Sequence, residues 1–251
     1  MSAPRFFVPG PIPRDRAAGE LALPDAAAVH AVRVLRLGAG DPVTLFDGFG
    51  GEHHATIVAV GRRAATVRIE RFDPVERELP ARVTIVMAVI ATDQMDFAVR
   101  KSVELGAFAV RTVIAARSQG IPAGERAGRR VAHWRAIATA ACEQCGRNRV
   151  PAIEPPVPVA EWLRELDDAR GAVALLAPDA QVSLATLAAR APPRYVLVGP
   201  EGGFTRDEID GALRAGAVPA HLGRRVLRAE TAALAALATF NAMAGDAAQE
   251  A

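Results

Sequence analysis

The chain has 251 residues, of which 51% are hydrophobic, and a formal net charge of +2. This composition predicts a globular protein rather than a disordered one, and the length suffices for one large domain or two modest ones. No apolar run reaches the ~18–20 residues of a membrane span, and the first residues lack the apolar core of a secretory signal, so we expect a cytoplasmic protein. The 2 cysteines argue against a disulfide scaffold.

The first 72 residues are predicted to be mostly β-structure. Short β-rich runs at 43–46, 53–60 and 65–70 are separated by Asp-Gly and Gly-Arg-Arg turns. Asp25 is a candidate N-cap for a helix over 26–35. This pattern is typical of a small β-barrel. A charged segment bounded by prolines follows at its end, and we therefore expect two domains, at 1–72 and 73–251.

Beyond this segment, apolar runs alternate with helical patterns, which indicates a parallel sheet flanked by helices. The predicted strands and helices, in chain order, are strand 83–90, helix 93–105, strand 110–115, helix 125–145, helix 158–167, strand 172–177, helix 183–190 and strand 194–198.

Two glycine loops late in the chain carry the strongest functional signal. The strand at 194–198 ends in the sequence GPEGG, after which Thr205 and Glu208 form a capping box that predicts a helix through about Ala215. A second glycine turn follows at 222–223, and we interpret it as leading into a basic strand and a capped helix. Such loops place backbone N–H groups at the carboxyl edge of a sheet, where small polar ligands bind. Neither loop fits the P-loop or the dinucleotide-binding pattern.

The basic residues are unevenly distributed along the chain. Residues 100–149 hold ten Lys or Arg and three Asp or Glu, whereas residues 150–251 hold nine and thirteen. A basic stretch beside a more acidic remainder fits a surface that faces phosphates. Within it, the glycine-punctuated segment 117–130 is either a mobile loop that closes over RNA or an ordinary solvated connector. The general use of Arg instead of Lys fits a GC-rich genome as well as phosphate recognition.

Taken together, these segments closely resemble the bacterial 16S rRNA uridine-N3 methyltransferases of the RsmE type, which belong to the knotted SPOUT class. The resemblance is carried by GPEGGF at 199–204, LGRRVLRAETA at 222–232, RKSVELGA at 100–107, RS at 117–118, EQCGRNRVP at 143–151, PRFF at 4–7, HAVRVLR at 30–36, GD at 40–41 and FDG at 46–48. It implies an α/β SPOUT-type methyltransferase domain with a parallel sheet and a trefoil knot, preceded by a small PUA-like β-barrel that binds RNA.

The resemblance also implies S-adenosylmethionine (SAM) as cofactor and assigns roles to individual residues. Those expected to bind SAM are Leu175, Leu176, Val198, Gly199, Pro200, Glu201, Gly202, Gly203, Leu222, Gly223, Val226, Leu227, Arg228 and Thr231. Those expected to contact RNA, in 16S rRNA or the small ribosomal subunit, are Arg5, His30, Arg33, Arg36, Arg117, Arg129 and Arg130. One departure is local: Thr92-Asp93-Gln94 stands where the family leads us to expect a lysine.

Methylation of uracil N3 sets a chemical requirement, because N3 is still protonated at neutral pH. A carboxylate can accept this proton, and a guanidinium near O2 or O4 can stabilise the negative charge that develops. Glu143 and Arg147 lie four residues apart on one face of the predicted helix, where a plain surface ion pair is the alternative. Arg228 and Glu201, beside the expected SAM site, are the rival candidates.

Three further expectations concern assembly, metals and rival functions. Leu234, Leu237 and Phe240 form an apolar stripe on a predicted terminal helix, through which knotted relatives pair, so a homodimer is expected; packing of the stripe within the chain is the alternative. Cys142 and Cys145 are interpreted as small helix residues rather than metal ligands. The rival functions are a knotted methyltransferase that modifies a ribose 2′-hydroxyl and a catalytically silent RNA-binding protein.

Overall fold

The computed structural model describes residues 3–14, 19–120, 125–166 and 172–244. The chain divides into two compact units, one formed by residues 1–78 with 142–150 and the other by 79–141 with 151–251. The first unit thus extends to residue 78, beyond the expected boundary at 72, and also includes a short segment from the middle of the chain. The division of labour between domains at 1–72 and 73–251 stays a prediction.

The first unit is built on a five-stranded sheet with the order β1-β3-β4-β5-β2. β1 runs parallel to β3, and the other pairs are antiparallel. Phe6, Leu45, Ile57 and Val67 are buried in the core of this unit. The strands are β1 Arg5–Phe7, β2 Glu20–Ala22, β3 Pro42–Phe46, β4 Glu52–Val60 and β5 Ala65–Asp73.

The helix expected at 26–35 differs from the prediction at both ends. It begins as α1, Asp25–Val29, continues as a π-helical turn, His30–Val34, and is followed by Arg36 with a positive φ of 59°. The prediction that Asp25 is the N-cap is wrong, because Pro24 occupies that position. Pro24 makes no side-chain cap hydrogen bond. Asp25 instead lies in the first turn, where its charge favours the helix N-terminus.

The second unit is a six-stranded sheet with the order β11-β9-β10-β6-β7-β8, in which every neighbouring pair is parallel. The predicted alternation of strands and helices is confirmed. The strands are β6 Thr84–Ala88, β7 Ala109–Ile114, β8 Ala152–Pro158, β9 Val173–Leu176, β10 Tyr195–Val198 and β11 Val218–Ala220. The helices are α2 Thr92–Glu104, α3 Glu125–Cys145, α4 Val159–Arg164, α5 Leu184–Arg190, α6 Arg206–Arg214 and α7 Ala229–Ala244.

Two strands of this sheet were missed from the sequence, and one predicted strand is absent. β8 contains Pro155, Pro156 and Pro158, which cannot donate ladder hydrogen bonds, but it lies at the edge of the sheet, where proline is tolerated. β11, with three residues, is too short to show a pattern. The prediction of a basic strand after Gly223 is wrong. Residues 222–228 instead form an irregular loop that leads directly into α7.

The apolar stripe of α7 packs within its own chain. Leu237 and Phe240 are 0% and 2% exposed, and the helix lies against α2, α5 and β10. These two residues are therefore part of the core, as in the alternative considered above, whereas Leu234 is half-buried, and the homodimer stays a prediction. Among the described residues, none of the helices combines the length and the apolar character needed to cross a bilayer.

Candidate functional site

A cavity of about 680 Å³ lies in the second unit, where β9, β10 and β11 end. Because these strands are parallel, their carboxyl ends meet at one edge of the sheet, and the loops that follow them form the cavity walls. The volume is in the range of small-molecule sites. The two glycine loops singled out from the sequence both contribute to its lining, as do the first residues of α7 and Gln94 of α2.

The first glycine loop makes a tight turn from β10 into α6. Gly203 has a φ of +69° and donates its N–H to the carbonyl of Pro200 at 2.8 Å. A side chain at Gly199 would approach the ring of Phe204 to 3.2 Å. The predicted capping box is confirmed: the Thr205 hydroxyl accepts from the Glu208 N–H, and the Glu208 carboxylate accepts from the Thr205 N–H. These contacts hold the loop at the cavity edge.

Gly202 has a different role from its neighbours. It is not among the residues that line the cavity, and a side chain there would approach Arg117 instead. The Arg117 guanidinium donates a hydrogen bond to the Gly202 carbonyl at 2.7 Å. Nearby, the backbone N–H of Ala116 donates to the Glu208 carboxylate at 2.7 Å. The loop after β7 is therefore tied to the first glycine loop at two points.

The second glycine loop closes another side of the cavity. Gly223 has a φ of +102°, and its N–H donates to Nδ1 of His221 at 3.0 Å. Leu227 is half-buried, whereas Val226 is 82% exposed at the cavity rim. Of all the residues expected to bind SAM, only Gly202 and Thr231 do not line this cavity.

Among the lining residues that were not anticipated from the sequence, two carry buried polar atoms. Glu230, on the first turn of α7, is only 9% exposed, and its Oε2 atom is buried without a hydrogen-bond partner among the described residues. The Oε1 atom of Gln94 is in the same situation. Both residues line the cavity. Two signals in the sequence could have revealed them. Glu230 is an acidic residue that follows the basic loop, and Gln94 lies in the stretch where the family leads us to expect a lysine.

The candidates for catalysis fall into two groups. Arg228 and Glu201 are exposed and line the cavity. Glu143 and Arg147 belong to the first unit, where the Glu143 carboxylate accepts a hydrogen bond from the Phe7 N–H at 2.9 Å. Arg147 lies beyond the end of α3 at Cys145, so the expected placement with Glu143 on one helix face is wrong; it is 3% exposed and forms an ion pair with Glu78. Both side chains of this second group thus have partners that stabilise the first unit.

The cysteine pair lies in the last turn of α3, and Cys142 is buried. Burial raises the pKa of the Cys142 thiol to about 12. Its Sγ lies 3.5 Å from the carbonyl of Arg149. Within the described part of the chain, no group of three His, Cys, Asp or Glu side chains is placed to hold a metal ion.

The residues expected to contact RNA differ in how accessible they are. His30, Arg33 and Arg36 are all exposed on or beside the π-helical turn of the first unit, and Arg117 and Arg129 are exposed in the second. Arg130 donates to the Thr92 hydroxyl at 2.8 Å. Arg5 is mostly buried and pairs with Glu52 at 2.5 Å. The central part of the expected loop, 121–124, lies outside the described residues.

Comparison with known proteins matches both parts of the chain. The model of an RNA methyltransferase domain matches residues 77–241, and that of an RNA methyltransferase PUA domain matches residues 23–70. The ribosomal RNA small subunit methyltransferase E of Mycobacterium bovis is 32% identical over 228 residues, which cover 86% of this chain and 87% of the relative.

Solved structures of methyltransferases also match almost the whole chain. A ribosomal RNA small subunit methyltransferase E from Neisseria gonorrhoeae, bound to SAM, is 34% identical with a TM-score of 0.88, and the match covers 98% of this chain and 99% of that one. A methyltransferase from Legionella pneumophila in complex with SAM is 32% identical with a TM-score of 0.85 and coverage of 97% and 98%. The chain therefore belongs to the RNA methyltransferase family of the RsmE type, in which a PUA-like domain precedes a knotted SPOUT-type α/β domain.

Proposed function

We propose that this chain transfers a methyl group from SAM to N3 of a uridine in 16S ribosomal RNA. The observation that carries the proposal is the cavity at the carboxyl edge of the parallel sheet, formed by two glycine loops in a chain of the RsmE type. Relatives at 32% and 34% identity are bound to SAM in their structures.

The residues around the cavity fit SAM. Leu175, Leu176, Val198 and Leu227 provide apolar walls that suit a flat adenine ring. The glycine loops expose backbone N–H and C=O groups that can pair with the polar edges of adenine and ribose. The two buried acceptor atoms, on Gln94 and Glu230, require hydrogen-bond donors, and SAM carries donors on its amino, adenine and ribose groups.

SAM supplies a methyl group on a positively charged sulfur, which is already an excellent leaving group. The protein must therefore position the uracil ring and help to remove the proton from N3. We propose that Arg228, exposed at the cavity rim, stabilises the negative charge that develops on the uracil oxygens. Glu201, also exposed at the rim, is the proposed proton acceptor. Glu143 and Arg147 remain the alternative pair.

The same proposal includes the partners. His30, Arg33 and Arg36 form an exposed basic surface on the first unit, and it suits contacts to phosphates of small-subunit ribosomal RNA. We propose that Arg117, Arg129 and Arg130 bind RNA near the methylation site. We propose a cytoplasmic location for the same reason, because ribosomal RNA is the proposed substrate. A homodimer stays part of the proposal through the family resemblance alone.

Mass spectrometry of nucleosides from 16S rRNA, with and without the gene, tests the function. We expect specific loss of 3-methyluridine in the deletion strain and its recovery when the wild-type gene is restored. Recovery should fail with Arg228→Ala if this variant is expressed and folded. Loss of a ribose-methylated nucleoside would instead support the 2′-hydroxyl rival, and unchanged nucleosides would support a catalytically silent RNA-binding protein.

A further inference from the structure

Five charged side chains line the cavity, and they differ in their exposure to water. Arg225, Arg228, Asp179 and Glu201 are exposed, whereas Glu230 is buried. Charges that face water are screened, so their effect on a bound ligand is small, while a buried carboxylate acts through a medium of low dielectric constant. Glu230 should therefore dominate the electrostatic potential in the interior of the cavity.

Leaving a buried polar atom without a partner is costly, and native structures do so rarely. Here both residues that carry an acceptor atom of this kind, Glu230 with Oε2 and Gln94 with Oε1, are among those that line one cavity. They come from different elements, α7 and α2, so a single local strain does not explain both. A ligand that brings donors and a positive charge would suit both side chains.

We propose that Glu230 and Gln94 form an acceptor pair that recognises the cationic part of the methyl donor and favours SAM over its demethylated product, S-adenosylhomocysteine. The inference rests on the proposed use of SAM. SAM and the product differ by one methyl group and by one positive charge, because the sulfur becomes neutral when the methyl leaves. Shape alone discriminates weakly between ligands that differ by one methyl group, so charge is the larger difference available to the protein.

This preference would assist turnover. The methyl group forms a bond to N3, the bond from sulfur to methyl breaks, and the N3 proton leaves to solvent or a base, so the positive charge departs with the proton. The neutral product then loses its attraction to Glu230. Gln94 is important because a lysine at this point would add a positive charge to the lining that also holds Glu230, and the resemblance leads us to expect a lysine near the start of α2.

A purely structural role for Glu230 is the competing explanation, because an acidic side chain in the first turn of a helix stabilises it. The two roles predict different measurements. A structural role changes thermal stability and lowers the affinity for both ligands alike. Ligand recognition changes the ratio of the two affinities.

Calorimetric titration of the full-length protein with SAM and with S-adenosylhomocysteine, without RNA, is the test. Glu230→Gln keeps the shape of the side chain and removes its charge, so we expect it to lower the ratio of SAM affinity to product affinity about tenfold. Gln94→Lys should lower this ratio as well, and Gln94→Glu should raise it. Asp179→Asn removes an equal charge from the exposed rim and should change the ratio less than twofold.

The inference is overturned if the ratio stays constant in the Glu230 and Gln94 variants, or if Asp179→Asn changes it as much as they do. Should Glu230→Gln fail to fold, the two Gln94 variants carry the test, since they change charge in opposite directions at one position. Failure of the proposed function has a different signature, in which the wild-type protein binds neither ligand.

Discussion

Glu208 links two loops through its two carboxylate oxygens: Oε2 accepts from Thr205 in the capping box, while Oε1 accepts from the N–H of Ala116 at 2.7 Å. One side chain thus fixes the start of α6 and attaches the loop after β7 to it. The first glycine loop lies immediately before this helix, so the geometry of the cavity depends on these contacts.

Replacement of Glu208 by alanine should destabilise the protein by about 1–2 kcal/mol, because a helix cap and the link to Ala116 are lost together. Urea unfolding measures the loss, and calorimetry should show weaker SAM binding. Glu208→Gln keeps an acceptor for the cap and should cost less. Asp207→Ala, in the same turn and exposed, is the control; an equal effect there would show that only charge near the helix end matters.

Gly203→Ala should weaken SAM binding, because the φ of +69° is strained for any side chain although the space beside it is open. The expected cost is about 1–2 kcal/mol in unfolding free energy. Gly128→Ala is the matched control, since Gly128 lies in α3 with open space around its Cα and no positive φ. That variant should be stabilised by about 0.5–1 kcal/mol. Equal effects of the two changes would refute this account of the loop.

Arg33→Ala should lower the affinity for rRNA and reduce the slope of log affinity against log salt by about 1, because one phosphate contact is removed. SAM affinity should not change. Arg68→Ala is the control, as Arg68 is exposed on the same unit but pairs with Glu20. A slope that is unaffected by Arg33→Ala, or reduced equally by the control, would remove the π-helical turn from the RNA surface.

Arg147→Ala should lower the unfolding free energy by about 2–4 kcal/mol, because it leaves Glu78 without its buried partner. Chemical denaturation gives this value, and the double variant with Glu78→Gln should recover part of it. A catalytic role predicts more: single-turnover methylation per folded molecule would fall about 100-fold and recover partly as pH rises. Unchanged rates per folded molecule would take Arg147 off the catalytic list.

The buried Glu52 should make the first unit sensitive to acid. Burial alone would raise the pKa of its carboxyl group, but hydrogen bonds and charges from Arg77 and Arg5 outweigh burial and bring the pKa to about 2. A carboxyl with a lowered folded-state pKa contributes stability above its unfolded pKa of about 4.5, and this contribution is lost as pH falls towards 2. The stability difference between wild type and Glu52→Gln should therefore be constant above pH ~5 and shrink at lower pH. A difference independent of pH would contradict the ion-pair account.

Local sequence signals predicted those features that depend on local interactions. The capping box of Thr205 and Glu208 needs only residues three apart, and it is present as predicted. The parallel sheet followed from alternating strands and helices, whose core positions form continuous apolar runs, as in β6. Both glycine loops line one cavity because parallel strands end at the same edge.

Features that depend on distant partners were not predictable from a single sequence. Arg147 and Glu78 are 69 residues apart in the sequence. The sequence analysis considered only Glu143 as a partner of Arg147. Glu230 and Gln94 gain their importance from burial at one cavity, which no local pattern reveals. The strand β8 was missed because its prolines are compatible with a strand only at a sheet edge, and edge position is a property of the assembled sheet.

The prolines of β8 have a consequence for the behaviour of the protein at high concentration. An exposed sheet edge can recruit a strand from another molecule and begin aggregation. Along β8, Pro155, Pro156 and Pro158 offer no N–H groups to an incoming strand. The opposite end of the sheet is β11, with only three residues. Replacing these prolines would thus create a longer sheet edge that can pair with other molecules. The same prolines that made this strand unrecognisable from the sequence therefore protect it from intermolecular pairing.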